Sequence, residues 1–190
     1  KLLSHSFIIV RTPRSNKFKI RNPLPNLHIF PTRSLNRIFF IWDAFRIGSK
    51  ICKENKIDLI CCQYPLTIYL ASFLLKIRFG IPINLHLLAD IINNPYFLSE
   101  RRLNYLLNKW VLWAIGKADT IRVSTLKEKE KLSKLGIEDK KVWRIPFFIN
   151  LDLFLQNDGN RIRRYYLGKN FERLILYVGR LAKQKGLETL

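Results

Sequence analysis

The sequence predicts an α/β fold, a parallel sheet with helices on both faces. Three observations carry this. From residue 57 onward short apolar runs alternate with longer segments of helical periodicity. The apolar runs read as strands buried on both sides. The junctions carry helix-ending and helix-starting residues, Gly80, Gly136 and the pair Thr125 and Glu128 among them.

In chain order, residues 6–10 and 27–30 read as strands, followed by a helix from about residue 35 to 54. Residues 57–62 (Ile-Asp-Leu-Ile-Cys-Cys) are the next strand, and 66–79 form a helix closed by Gly80. The strand over 81–88 tolerates Pro82 only near its beginning. A helix over 101–117 follows, because Leu103, Leu106, Leu107, Trp110, Val111 and Ala114 recur at three- and four-residue spacing. Residues 118–124 are a strand handing over to a helix. Thr125 and Glu128 make that helix's capping box, and Gly136 sits where a left-handed residue ends it. Residues 141–146 are a further strand. After a polar break at 156–160 come a short basic helix and a strand over 173–178. That break sets the expected domain boundary, with residues 1–156 as one domain and 157–190 as a linker and the start of another.

Composition narrows the functional classes. The 190 residues are 48% hydrophobic and 13% aromatic, enough to build a core. Lys and Arg number 34 against 14 Asp and Glu, a net charge of +20 that attracts polyanions such as nucleic acid, anionic lipid or phosphorylated substrates. Three cysteines, two of them adjacent (Cys61 and Cys62), exclude a disulfide scaffold and leave no CxxC pair for zinc. Free thiols in apolar runs fit a reducing, cytoplasmic compartment. The longest uncharged stretch, residues 59–75, is roughly 17 residues and is better explained by a strand, a Pro-marked turn and a helix than by a bilayer span. There is no methionine, even at position 1, so the chain reads as an internal piece of a longer protein.

The richest chemical segment is 174–186. A buried strand is expected to end at Gly179, where the missing side chain admits a ligand to the backbone. Arg180 and Lys185 straddle the turn before the next helix, a fork and a point charge suited to a diphosphate. From spacing alone two readings stand, this grip and an ordinary turn with solvated cations.

Val178-Gly179-Arg180-Leu181 with Lys185-Gly186 resembles the motif that opens the second domain of family 4 glycosyltransferases. Other landmarks follow the family's order: Asp58-Leu59-Ile60, then Gly80-Ile81-Pro82 leading to His86, then Ala118-Asp119-Thr120 through Ser124. Lys134-Leu135-Gly136-Ile137, Val142, Ile145-Pro146 and Asp152-Leu153-Phe154 complete the set, which covers about residues 55–190. The resemblance implies the GT-B architecture, two Rossmann-like domains across a cleft, acceptor on the first and nucleotide-sugar donor on the second. This chain would then hold the N-terminal domain without its first strand, and the first strand and turn of the C-terminal domain. It also implies transfer with retention of configuration and no cofactor or metal. By position, Gly179, Arg180 and Lys185 would hold the donor diphosphate, the two cations stabilising charge on the leaving phosphate. His86 reads by itself as a hydrogen-bonded structural histidine; the resemblance implies a catalytic contact with the transferred sugar. Phe148 stands where the family has a turn glycine, and Asn150 where it has an acid. The family's acidic donor-binding pair would fall beyond Leu190, so the piece alone is expected to be inactive.

The charge has its own pattern. Arg11, Arg14, Lys17, Lys19, Arg21, Arg33 and Arg37 are interleaved with Phe18, Pro23, Pro25 and Phe30, a segment suited to anionic headgroups or an acidic acceptor. Many relatives act on lipid-linked acceptors, which makes a peripheral protein on the cytoplasmic face of the membrane the expected form. In the 101–117 helix, Trp110 and Trp113 read as core, and Arg102, Lys109 and Lys117 as solvated. Two other classes remain in view. One is a basic nucleic-acid-binding module, which lacks any recognisable motif, so that nucleic acid is not an expected partner. The other is an inactive relative that only binds a sugar nucleotide.

Overall fold

The structure is a computed structural model and describes residues 4–12, 24–156, 159–167, 173, 175–179, 181 and 186–189. The chain divides into two compact units, residues 1–146 and 147–190.

In the first unit β1 (Ser6–Val10) and β2 (Leu27–Pro31) pair in parallel. Helix α1 (Arg37–Glu54) begins at Asn36, whose Oδ1 accepts the N–H groups of Ile38 and Phe39 at 2.9 and 3.0 Å. Then come β3 (Ile60–Cys62), α2 (Thr67–Phe79) and β4 (Ile83–Leu87). Gly80 ends α2 at φ 71°, a backbone that suits glycine, and its N–H returns to the Lys76 carbonyl. Helices α3 (Pro95–Glu100) and α4 (Leu103–Lys117) lead to β5 (Thr120–Val123), α5 (Leu126–Lys134) and β6 (Val142–Arg144). Strands β3 to β6 form one parallel sheet in sequence order. The parallel α/β fold is as expected, and the uncharged stretch 59–75 divides between β3 and α2. No helix among the described residues is long and apolar enough to cross a membrane.

Sequence order explains where the core sits. When each strand is added on the same side of the last, right-handed crossovers deliver every helix to the same face. On that face Cys62, Ile83, Leu85, Leu87, Ile121, Val123 and Val142 pack with Tyr69 of α2, Val111, Ala114 and Ile115 of α4, and Leu132 of α5. The other face is half-buried: Asn84, His86, Thr120 and Arg122 are partly covered, while Cys61 and Trp143 are exposed. Strands apolar on both sides were expected; β4 and β5 instead alternate.

A smaller cluster joins Phe40 and Ala44 of α1 to Ala71 of α2, with Ile9 of β1 against it. The two helices approach closely at Gly48, where a Cβ would fall 2.6 Å from Leu75 Cδ1. Trp110 and Trp113 are packing residues. The Trp110 indole donates to the Pro65 carbonyl at 2.9 Å, and Trp113 meets Phe73 edge-on at 4.9 Å.

Helix α3 was not foreseen. Its signal is Asn94-Pro95, an N-cap followed by the one residue whose missing N–H costs nothing at a helix start.

The second unit contains α6 (Asp152–Leu155), α7 (Asn160–Leu167) and a 3-10 turn, Leu187–Thr189. The expected strand over 173–178 is corrected by the structure. Residues 175–178 are not in a strand, and Ile175, Leu176 and Val178 are exposed. An apolar run becomes a strand only when a neighbour takes its N–H and C=O groups. Among the described residues no ladder includes it.

Candidate functional site

Because β3 to β6 are parallel, their carboxyl ends share one edge, where open α/β sheets bind ligands. The loop after β4 is firmly built. Ile91 and Ile92 are buried, and Asn93 adopts φ 48°. Asn108 of α4 accepts the Asn93 N–H at 2.9 Å and donates its own amide to Asn93 Oδ1 at 2.7 Å. That reciprocal pair holds a backbone conformation that few side chains adopt.

At the end of β5, Glu128 closes the capping box. Its Oε2 accepts the N–H groups of Ser124 and Thr125, both at 3.0 Å, while Thr125 Oγ1 accepts the Glu128 N–H. Beside Asp90 a pocket of about 460 Å³ runs along the flank of α5, lined by Asp90, Thr125, Lys127, Glu128, Glu130, Lys131 and Lys134. Lys131 pairs with Asp90 at 2.7 Å and ties α5 to the β4 loop.

His86 is the penultimate residue of β4, on the half-buried face, and its register neighbour on β5 is Arg122. Burial pushes the imidazole below its ordinary value and the Arg122 charge pushes it the same way, so the ring is held neutral. Arg122 also donates to the Ile145 and Pro146 carbonyls at 3.1 and 3.2 Å, fixing the last residues of the first unit. Sequence reasoning missed Arg122; its signal is a charge inside a strand whose neighbours Ile121 and Val123 are apolar.

Asp119, one of the landmark residues, sits at the opposite, amino edge of the sheet. Its carboxylate accepts the Ile83 N–H at 2.8 Å and two contacts from Lys76 Nζ at 2.6 and 2.7 Å. Its own N–H donates to the Ile83 carbonyl at 3.1 Å. The residue therefore pins β4, β5 and α2 together and takes no part in the pocket beside α5. Burial pushes its pKa up, but the hydrogen bonds from Lys76 and Ile83 and the charges of Lys76 and Lys141 together outweigh it, and the pKa is lowered.

The other expected site residues are spread out. Gly179 is exposed in the second unit, where a Cβ would fall 2.7 Å from the Tyr177 hydroxyl. Arg180 and Lys185 lie outside the described residues, as do Arg14, Lys17, Lys19 and Arg21; Arg11 is exposed just after β1. Cys52, Cys61 and Cys62 are free thiols, each with its pKa raised by burial. Among the described residues no three His, Cys, Asp or Glu side chains come together as a metal site.

A parallel sheet whose strands are joined by helices packed on it defines the Rossmann-like class. Within that class the chain belongs to glycosyltransferase family 4, whose model matches residues 3–153. It is accordingly a glycosyl-transfer domain, with a sugar donor and an acceptor as its substrates in the general sense. No curated protein matches the chain.

Proposed function

We propose that this chain is the acceptor-side domain, with the start of the donor domain, of a retaining GT-B glycosyltransferase. The enzyme moves a sugar from a nucleoside diphosphate to a cell-envelope glycan or lipid-linked acceptor on the cytoplasmic side of the membrane. The observation that carries the reading is the family match over residues 3–153. The division of labour falls at 156/157, with the acceptor side before it and the donor side after it.

In this reading Arg180 and Lys185 grip the donor diphosphate, and Gly179 lets it approach the backbone. As the glycosidic bond breaks, negative charge grows on the leaving phosphate, and fixed cations stabilise it more than they stabilise the ground state. They take the place a metal holds at other phosphate sites. His86, neutral at working pH, faces the transferred sugar, and Arg11, Arg14, Lys17, Lys19 and Arg21 draw the domain to anionic headgroups.

The test uses the intact enzyme with radiolabelled sugar nucleotides and lipid-linked acceptors. Arg180→Ala and Lys185→Ala should each lower turnover by roughly 100-fold or more, as loss of one preorganised electrostatic contact does. Turnover should survive chelator. Wild-type rates in both variants would end the diphosphate assignment, and a chelator-sensitive rate would end the metal-free one.

A further inference from the structure

The outward side of α1 carries an unusual row. Ile38 and Trp42 are 68% and 65% exposed, and Leu35 and Phe39 beside them are more than half exposed. Spacing of four residues continues the row from Ile38 and Trp42 to Arg46 and Lys50, both exposed, and Lys53 follows on the same side. Arg33 and Arg37 flank the apolar end and are exposed as well. Among these cations the helix's acids offset only Lys50. Asp43 is turned inward to accept the Ser34 hydroxyl at 2.6 Å, and Glu54 lies at the far end, 3.8 Å from Lys50.

Charge decides what fits there. A second copy of a chain of net charge +20 would bring cations against cations. Nucleic acid would take the cations and leave two aromatic and two aliphatic side chains in water. An anionic bilayer surface satisfies both halves, apolar rings at the headgroup boundary and cations on phosphate oxygens. Tryptophan suits that boundary in particular, its ring apolar and its N–H wet.

We propose that α1 is the element that seats this protein on an anionic lipid surface. Leu35, Ile38, Phe39 and Trp42 enter the headgroup layer, and Arg33, Arg37, Arg46 and Lys50 hold lipid phosphates. The proposal rests on the membrane part of the function proposed above and deepens it, adding insertion of a defined helix to attraction at a basic segment.

Phosphatidylcholine vesicles with and without phosphatidylglycerol test it by co-sedimentation. The wild-type chain should pellet with the anionic vesicles only. A variant with Leu35, Ile38, Phe39 and Trp42 all replaced by Ser changes exposed side chains, so it should keep its circular dichroism while losing roughly tenfold or more in vesicle affinity. Trp42→Phe should bind as the wild type does but lose most of the fluorescence quenching by brominated lipid. Undiminished binding of the four-serine variant, or quenching unaltered by Trp42→Phe, would overturn α1 and leave the basic segment 11–21 as the docking element. Wild-type protein that ignores anionic vesicles would overturn the membrane reading altogether while sugar transfer by the intact enzyme still stood. A wild-type dimer in sedimentation equilibrium that the serine variant loses would make the row a self-interface and overturn the proposal too.

Discussion

The same strands make both faces of the β3–β6 sheet, yet Leu85, Ile121 and Val123 are sealed on one while Asn84, His86 and Arg122 sit half-covered on the other. On the sealed face neighbouring side chains are interchangeable in kind: each is apolar and each packs against α2, α4 or α5. On the open face the polar side chains differ in what they meet. Asn84 donates to Thr120 Oγ1 at 2.6 Å, Arg122 holds two carbonyls, and His86 feels both burial and charge. The comparison separates what holds the domain together from what gives its surface a chemistry.

The sharpest way to break that distinction is to truncate both faces at adjacent positions. Leu85→Ala removes a fully buried side chain from the centre of the sheet and should cost about 3 kcal/mol. Asn84→Ala, one residue away on the open face, loses one hydrogen bond and should cost about 1 kcal/mol. Urea denaturation of both variants checks this, and equal losses would mean that the open face is as structural as the sealed one.

Asp119 gives the next largest effect, at the amino edge where the two faces meet. Asp119→Ala leaves the Ile83 N–H without its acceptor and should cost about 2 kcal/mol. Its sign with pH is fixed by the lowered pKa. The folded state binds the proton less readily than the unfolded chain, so the stabilisation is complete above the ordinary value of 3.8 and fades as pH falls below it. Acid titration of stability in the wild type and Asp119→Asn should therefore converge at low pH, and parallel curves would remove Asp119 from the account.

What could be read from the sequence follows the same division. Period and capping are local, so the Thr125–Glu128 capping box, Gly80 and the helices over α1, α2 and α4 were legible from neighbouring residues alone. Which face of a strand is covered is not local. Arg122 sits inside an apolar run, and only its register beside His86 gives it a place. The run 173–178 shows the converse failure, since its apolar residues satisfy every local rule for a strand but pair with no neighbour among the described residues. Of the candidate site, His86 was legible as a residue but not as a side chain whose pKa burial and Arg122 both lower. The pocket between Asp90 and α5 was not legible, because it joins residues about forty positions apart.

That His86–Arg122 pairing supplies a finer test of the open face. Burial is the larger cause of the lowered histidine pKa and Arg122 the smaller, both acting in one direction. Arg122→Gln should raise the His86 pKa and still leave it below the ordinary 6.5, as followed by imidazole NMR shifts. In the wild type the unfolded chain takes up this proton first, so stability should fall as pH drops below 6.5, and the fall should be shallower in Arg122→Gln. An unmoved pKa would show that the arginine charge is screened at this face.

The smallest effect belongs to the sealed face and has the opposite sign. Tyr69 of α2 is fully buried, and its hydroxyl has no hydrogen-bond partner among the described residues. Burial raises its pKa, so the group is a neutral donor with nowhere to donate. Tyr69→Phe keeps the ring stacked at 6.1 Å from Phe73 and edge-on at 6.0 Å to Trp113 while removing the unmet polar atom. The variant should be more stable by about 1 kcal/mol, seen as a higher urea midpoint at unchanged slope. A loss of that size instead would show that a water satisfies the hydroxyl, and would place a polar site inside the face whose defining property is that it has none.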